Sequence, residues 1–176
     1  MLHRLTSVAL STLLSLAGPA QAFVVDRVAV VIEDQLVMES EVAIEEALAQ
    51  LDDSPSPFWS AGRTDAMDRL VDAAVLRHSA GSVALYQPRR EEVSLRLEAV
   101  RSKFEDRSAW LSFLSAYGLD EERLAVVLRR RMVVERYLAR NLTVQVEDRA
   151  VWQGAVADLL AQLRPRTAIR AVPVKH

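Results

Sequence analysis

Two short runs of β-branched and apolar residues near the amino terminus predict a pair of strands. Residues 24–32 are mostly valine, isoleucine and alanine, residues 33–35 are Glu-Asp-Gln, and residues 36–38 are Leu-Val-Met. Apolar β-branched residues favour strands, and a polar interruption of this kind is typical of a turn. Because an isolated hairpin is only marginally stable, we expect it to pack against another element.

From residue 40 onward, apolar positions recur at helical spacing. We predict helices over residues 41–50, 121–140 and 147–163, a further helix between Thr64 and Gly81, and two shorter ones that begin near Pro88 and Ser108. Small polar residues accept hydrogen bonds from the first amides of a helix, and the predicted N-caps are therefore Ser40, Thr64, Ser108 and Asp120. Gly81 and Gly118 are the predicted stops.

The fold prediction rests on residues 167–172, where the pattern becomes β-prone again. A third strand formed there could lie beside the amino-terminal hairpin and stabilise it. We therefore predict a mainly α fold with a small antiparallel sheet, made by the amino-terminal hairpin and a carboxyl-terminal strand.

The first 22 residues have the three-part pattern of a secretory signal peptide. A basic start at Arg4 precedes an apolar centre over residues 8–17, and the segment ends on Ala20-Gln21-Ala22. We expect cleavage after Ala22, which leaves residues 23–176 as a single domain that works outside the cytoplasm. The alternative, an uncleaved membrane anchor, is disfavoured because Gly18-Pro19 interrupts a run already too short to span.

Composition excludes several kinds of chemistry. Cysteine is absent, and the three histidines, His3, His78 and His176, are too widely spaced to form a metal site. Removing Arg4 leaves 21 basic against 24 acidic residues, a net charge of 21 − 24 = −3, which disfavours nucleic-acid binding. Residues 129–131 are consecutive arginines that point in three directions, so we predict a solvated turn there and no anion site.

The order of the predicted elements resembles the chaperone core of the SurA family of parvulin-type foldases. The segments that carry the resemblance, over nearly all of residues 23–176, are Val25-Asp26-Arg27-Val28-Ala29-Val30-Val31, Glu39-Ser40-Glu41-Val42, Leu70-Val71-Asp72, Glu91-Glu92-Val93, Phe104, Gly118-Leu119-Asp120-Glu121-Glu122 and Leu128-Arg129-Arg130-Arg131-Met132. The turn at Glu33-Asp34 departs from the asparagine or glycine usual in that family. One or two isomerase domains normally follow the segment near Leu142, whereas here Val144-Gln145-Val146-Glu147 leads almost directly to the last helix.

The resemblance implies a periplasmic holdase that binds unfolded envelope or outer-membrane proteins and has no isomerase activity. Aromatic and methionine side chains give adaptable apolar contacts, and those suited to a peptide-binding surface are Phe58, Trp59, Trp110, Phe113, Tyr117, Met132 and Tyr137. Packing in the core is the favoured alternative for each of them. After cleavage of the signal, we expect no cofactor and no stable membrane insertion.

Two further functions stay open. The chain could be a dedicated subunit for one exported partner or, with less support, a protein associated with a prolyl isomerase. An enzyme is not predicted, because the sequence has no Gly-X-Ser-X-Gly motif and His78 is the only plausible general base. Homo-oligomerisation is left open.

Overall fold

The computed structural model describes residues 26–60, 64–144 and 146–172. The predicted signal peptide lies outside these residues. Six helices account for most of the described chain: α1 (Glu39–Leu51), α2 (Ala66–Ala80), α3 (Arg90–Arg101), α4 (Arg107–Ala116), α5 (Glu121–Asn141) and α6 (Arg149–Leu163). The predicted mainly α fold is therefore confirmed.

The small sheet is confirmed as well, and it has the predicted membership. Strands β1 (Val28–Ile32) and β2 (Gln35–Met38) form the antiparallel hairpin, and β3 (Ile169–Ala171) pairs antiparallel with the other side of β1. The strand order is β2-β1-β3. The central strand is thus completed by residues from the far end of the chain.

Glu33 connects the hairpin turn to β3. Its φ of 53° lies in the left-handed region, which glycine and asparagine adopt more easily than glutamate. The Glu33 amide donates to the Ala168 carbonyl at 2.8 Å, and its carboxylate accepts from the Ala168 amide at 2.6 Å. These two bonds offset the backbone strain and hold the start of β3 against the turn.

Three of the predicted helix caps are wrong by one or two positions. Ser40 lies inside α1, and its hydroxyl donates to Asp26; the N-cap is Met38, whose amide donates to the Glu41 carboxylate at 3.1 Å. Asp65 replaces Thr64 at the start of α2, and Asp106 replaces Ser108 at the start of α4. The cap at Asp120 and the stops at Gly81 and Gly118 are confirmed.

The apolar side chains form two clusters, and α5 contributes to both. The main core joins the sheet, α2, the carboxyl-terminal half of α5 and α6, with Ile32, Leu76, Val134, Trp152 and Val156 buried at its centre. The second core joins α1, α3, α4 and the amino-terminal half of α5, with buried Leu48, Val100, Trp110, Leu124 and Leu128. The two halves of α5 therefore pack on two different cores along the length of the helix.

Candidate functional site

Four aromatic rings form a continuous cluster around α4. Phe104 lies just before this helix, Trp110 and Phe113 lie on it, and Tyr117 caps its end. The ring centroids are 5.3 Å apart for Phe104 and Trp110, 5.0 Å for Phe104 and Phe113, 5.9 Å for Trp110 and Phe113, and 5.0 Å for Phe113 and Tyr117. Such distances are those of favourable aromatic pairs, so the four rings pack as one unit.

Helix ends set the position of this aromatic cluster. The Asp106 carboxylate accepts from the Ala109 amide at 2.8 Å and starts α4 directly after Phe104. Gly118 then takes a φ of 62°, a conformation that favours glycine, and turns the chain toward α5. Both ends of α4 are therefore defined locally, and the short helix presents its aromatic side toward α3 and α5.

The cluster is buried on one side and accessible on the other. Trp110 is only 2% exposed and belongs to the second core, whereas Phe104, Phe113 and Tyr117 are half-buried. Leu111, on the same helix, is 49% exposed. The rings therefore form a firmly packed platform with an apolar edge that reaches solvent.

A groove of about 360 Å³ runs along this edge. We call it the aromatic groove; it is lined by Arg101, Ser102, Phe104, Asp106, Arg107, Trp110, Leu111 and Glu121. The indole nitrogen of Trp110 donates to the Glu121 carboxylate at 2.8 Å, which holds the ring against the first turn of α5. The groove therefore has an apolar side, made by Phe104, Trp110 and Leu111, with charged groups around it, an arrangement that can bind another chain.

The seven residues proposed from the sequence do not form one surface. Trp110, Phe113 and Tyr117 come together in the aromatic cluster. Phe58, Trp59 and Tyr137 are buried in the main core, which is the alternative that the sequence favoured. Met132 is half-buried on α5 and belongs to neither cluster.

Sequence reasoning did not assign Phe104 and Leu111 to the site. Helix α3 ends at Arg101, so Phe104 lies in the connection between α3 and α4. A signal was present, because Phe104, Trp110, Phe113 and Tyr117 form the densest aromatic stretch of the chain. The solvent exposure of Leu111 could not have been inferred from the sequence pattern, because it depends on how α4 packs.

A buried layer of charges lies between the two cores. Arg131 on α5 donates to Glu45 at 2.5 Å and to Asp52 at 3.0 Å; Arg69 on α2 also donates to Glu45, at 2.9 Å. Arg96 on α3 pairs with Asp52 and with Glu135, the latter at 3.1 Å. We call these six residues, three arginines and three carboxylates, the charge layer.

The charge layer corrects the prediction for residues 129–131. Arg131 is only 2% exposed, and its guanidinium carbon lies 4.1 Å from the centre of the Trp59 ring, a cation–π contact. Arg129 and Arg130 do face solvent. Only two of the three arginines are therefore solvated as predicted, and the third is buried where it connects α5 to α1 and to Trp59.

The charge layer perturbs the ionisation of two of its members. Burial raises the pKa of Glu135, although Ser54 donates to its carboxylate at 2.6 Å and Arg96 lies beside it. Burial lowers the pKa of Arg96, but its bonds to Asp52 and the charge of Glu135 outweigh this effect and raise that pKa overall. The layer is a structural ion network, in which each arginine faces a carboxylate.

Within the described ranges, no group of three histidine, aspartate or glutamate side chains is placed to hold a metal ion. None of the helices described is both long and apolar enough to cross a bilayer. No protein-family model matches the chain, and no curated protein matches it. Fold and site thus define a mainly α protein with a small antiparallel sheet and an aromatic groove on its surface.

Proposed function

We propose that the protein is a periplasmic holdase that binds extended apolar segments of unfolded envelope or outer-membrane proteins in the aromatic groove. The observation that carries the proposal is that Phe104, Trp110 and the 49% exposed Leu111 together line the aromatic groove. A solvent-accessible apolar surface with a charged rim is suited to binding another chain. Aromatic rings accept many different side chains, as a holdase requires.

Export supports the same proposal from the sequence. The signal-peptide pattern of residues 1–22 and the resemblance of residues 23–176 to a chaperone core both favour a site of action in the periplasm. In this proposal binding alone protects the client, so no bond of the client is broken or isomerised.

A matched pair of leucine variants tests the role of the groove. Leu111 lines the aromatic groove, whereas Leu95 is not among its lining residues; both lie on helix surfaces and are 49% and 72% exposed. Replacing either leucine with aspartate leaves the cores intact, but only Leu111→Asp places a charge against the rings. Binding of apolar segments is expected to weaken because the new carboxylate would lose water on contact.

The measurement is light scattering after an unfolded outer-membrane barrel protein is diluted from denaturant into the purified protein, with a prolyl-isomerase assay on the same sample. Wild type and Leu95→Asp are expected to suppress aggregation at near-stoichiometric ratios. Leu111→Asp should require several times more protein. Equal suppression of aggregation by both variants would refute the role of the aromatic groove in binding. Absence of suppression by the wild type, or measurable isomerase activity, would refute the proposed holdase function.

A further inference from the structure

A second groove lies between β2, the end of α2 and the middle of α5. It has a volume of about 310 Å³ and is lined by Gln35, Arg77, Gly81, Gln87, Val126, Arg129, Arg130 and Val133. Three of these residues are arginines, and none of them is acidic. We call it the arginine groove; the aromatic groove, by contrast, is lined by two arginines and two carboxylates.

Arg77 is the central cation of the arginine groove. Its Nε and Nη2 atoms donate to the Gln35 side-chain oxygen at 3.2 and 2.9 Å, and among the described residues it has no salt bridge. Burial and the neighbouring charge of Arg130 lower the pKa of Arg77 to about 10. This half-buried guanidinium is thus held by a neutral amide, in an environment that disfavours its charge.

The surrounding groups do not neutralise the groove. Arg130 pairs with Glu41 at 2.9 Å, and Arg129 contacts the neutral Gln87 amide at 3.5 Å. Three arginines against the single carboxylate of Glu41 leave a net charge of 3 − 1 = +2 for these four groups. In the charge layer, by comparison, three arginines are balanced by three carboxylates.

The guanidinium groups and the excess of positive charge in the arginine groove indicate the kind of ligand it binds. Guanidinium groups bind carboxylates through paired hydrogen bonds, and a carboxylate between Arg77 and Arg129 would halve the surplus positive charge. Val126, 47% exposed, supplies an apolar wall beside these cations, which suits a side chain adjacent to the carboxylate. We propose that the arginine groove binds a carboxylate carried by an apolar peptide segment.

The carboxylate site rests on the proposed function in one respect only, namely that the ligand is a peptide. The carboxylate could be the carboxyl terminus of the peptide or an internal acidic side chain, since both present the same group. Glu121 of the aromatic groove and Arg129 are eight residues apart on α5, or about 12 Å along its axis. The arginine groove is therefore a separate surface that can be tested with a short peptide.

Fluorescence anisotropy with three labelled heptapeptides of one valine-rich, uncharged sequence tests the proposal. One has a free carboxyl terminus, the second is amidated, and the third is amidated with one internal glutamate. We expect the first or the third to bind at least about fivefold more tightly than the second, and the difference to shrink as salt rises from about 50 to 500 mM.

Two arginine variants on α5 locate the binding. Arg129→Gln removes a cation of the groove, and Arg140→Gln removes an exposed arginine in the last turn of the same helix. Arg129→Gln should abolish most of the preference for the carboxylate, whereas Arg140→Gln should leave it unchanged. Equal affinity for the charged and uncharged peptides, or equal effects of the two variants, would overturn the proposal.

These results are independent of the aggregation assay. If aggregation is suppressed but the carboxylate makes no difference, the arginine groove fails as a binding site and the holdase stands. If the carboxylate peptide binds but no client is protected, the holdase fails and the arginine groove stands.

Discussion

Replacing Arg131 with methionine probes the charge layer most directly. Methionine approximates the length of the apolar stem of arginine, so the change removes charge and hydrogen bonds while it leaves much of the packing. Arg131 bonds to Glu45 and Asp52, whose side chains are 2% and 1% exposed. Both carboxylates would remain buried in the variant.

The expected loss follows from the charges that remain. Glu45 keeps Arg69 and Asp52 keeps Arg96, so two arginines would face three carboxylates, with one buried negative charge uncompensated. Removing one partner of a buried ion pair costs about 3–5 kcal/mol. Since each carboxylate retains one arginine, we expect a loss near the lower limit, about 3 kcal/mol in the free energy of unfolding.

Urea denaturation followed by circular dichroism at 222 nm measures this loss. The control is Arg130→Met, one position earlier, because the salt bridge of Arg130 with Glu41 is half-exposed and should contribute about 0–1 kcal/mol. Adding Glu45→Gln to Arg131→Met restores two arginines against two carboxylates. We expect the double variant to lose less stability than the sum of the single variants. If Arg131→Met costs no more than Arg130→Met, the charge layer does not stabilise the fold as reasoned.

Two smaller perturbations test other contacts. Asp106→Ala should destabilise by about 1 kcal/mol, because it removes the cap of the Ala109 amide, whereas Ser108→Ala should have almost no effect; equal losses in thermal denaturation would contradict this. Burial raises the pKa of Glu135, so the folded state holds this proton more tightly than the unfolded chain. The stability of the wild type should therefore fall relative to Glu135→Gln as pH rises from about 4 to 7, and a constant difference in urea titrations would contradict the assignment.

The elements of the fold were predictable because their signals are local. Apolar periodicity, Gly81, Gly118 and the two β-prone ends sufficed to place six helices and the closing strand. The predicted caps at Thr64 and Ser108 are wrong because an aspartate near each helix start is at least as competent a cap as the hydroxyl residue. Ser40 fails for a tertiary reason, since its hydroxyl donates to Asp26 and the helix begins earlier, with Met38 as the N-cap.

The sites were only partly predictable, because they depend on contacts between distant segments. Arg131 bonds to residues 79 and 86 positions away, which no local pattern reveals. A usable signal did exist: Leu124, Leu128, Arg131, Glu135 and Leu138 follow a spacing of four and three, which places two charges on the buried stripe. The aromatic groove could not be predicted without knowing which side of α4 packs against the second core.

The position of β1 in the sheet has a consequence for how the chain reaches its final structure. One neighbour of β1 is the next strand along the sequence, but the other starts beyond Ala168, which bonds to a residue 135 positions earlier. Closing such a long loop is slow compared with forming a hairpin or a helix. The sheet therefore keeps one unpaired edge until residues 169–171 reach β1, and closure of the sheet becomes a late step of folding.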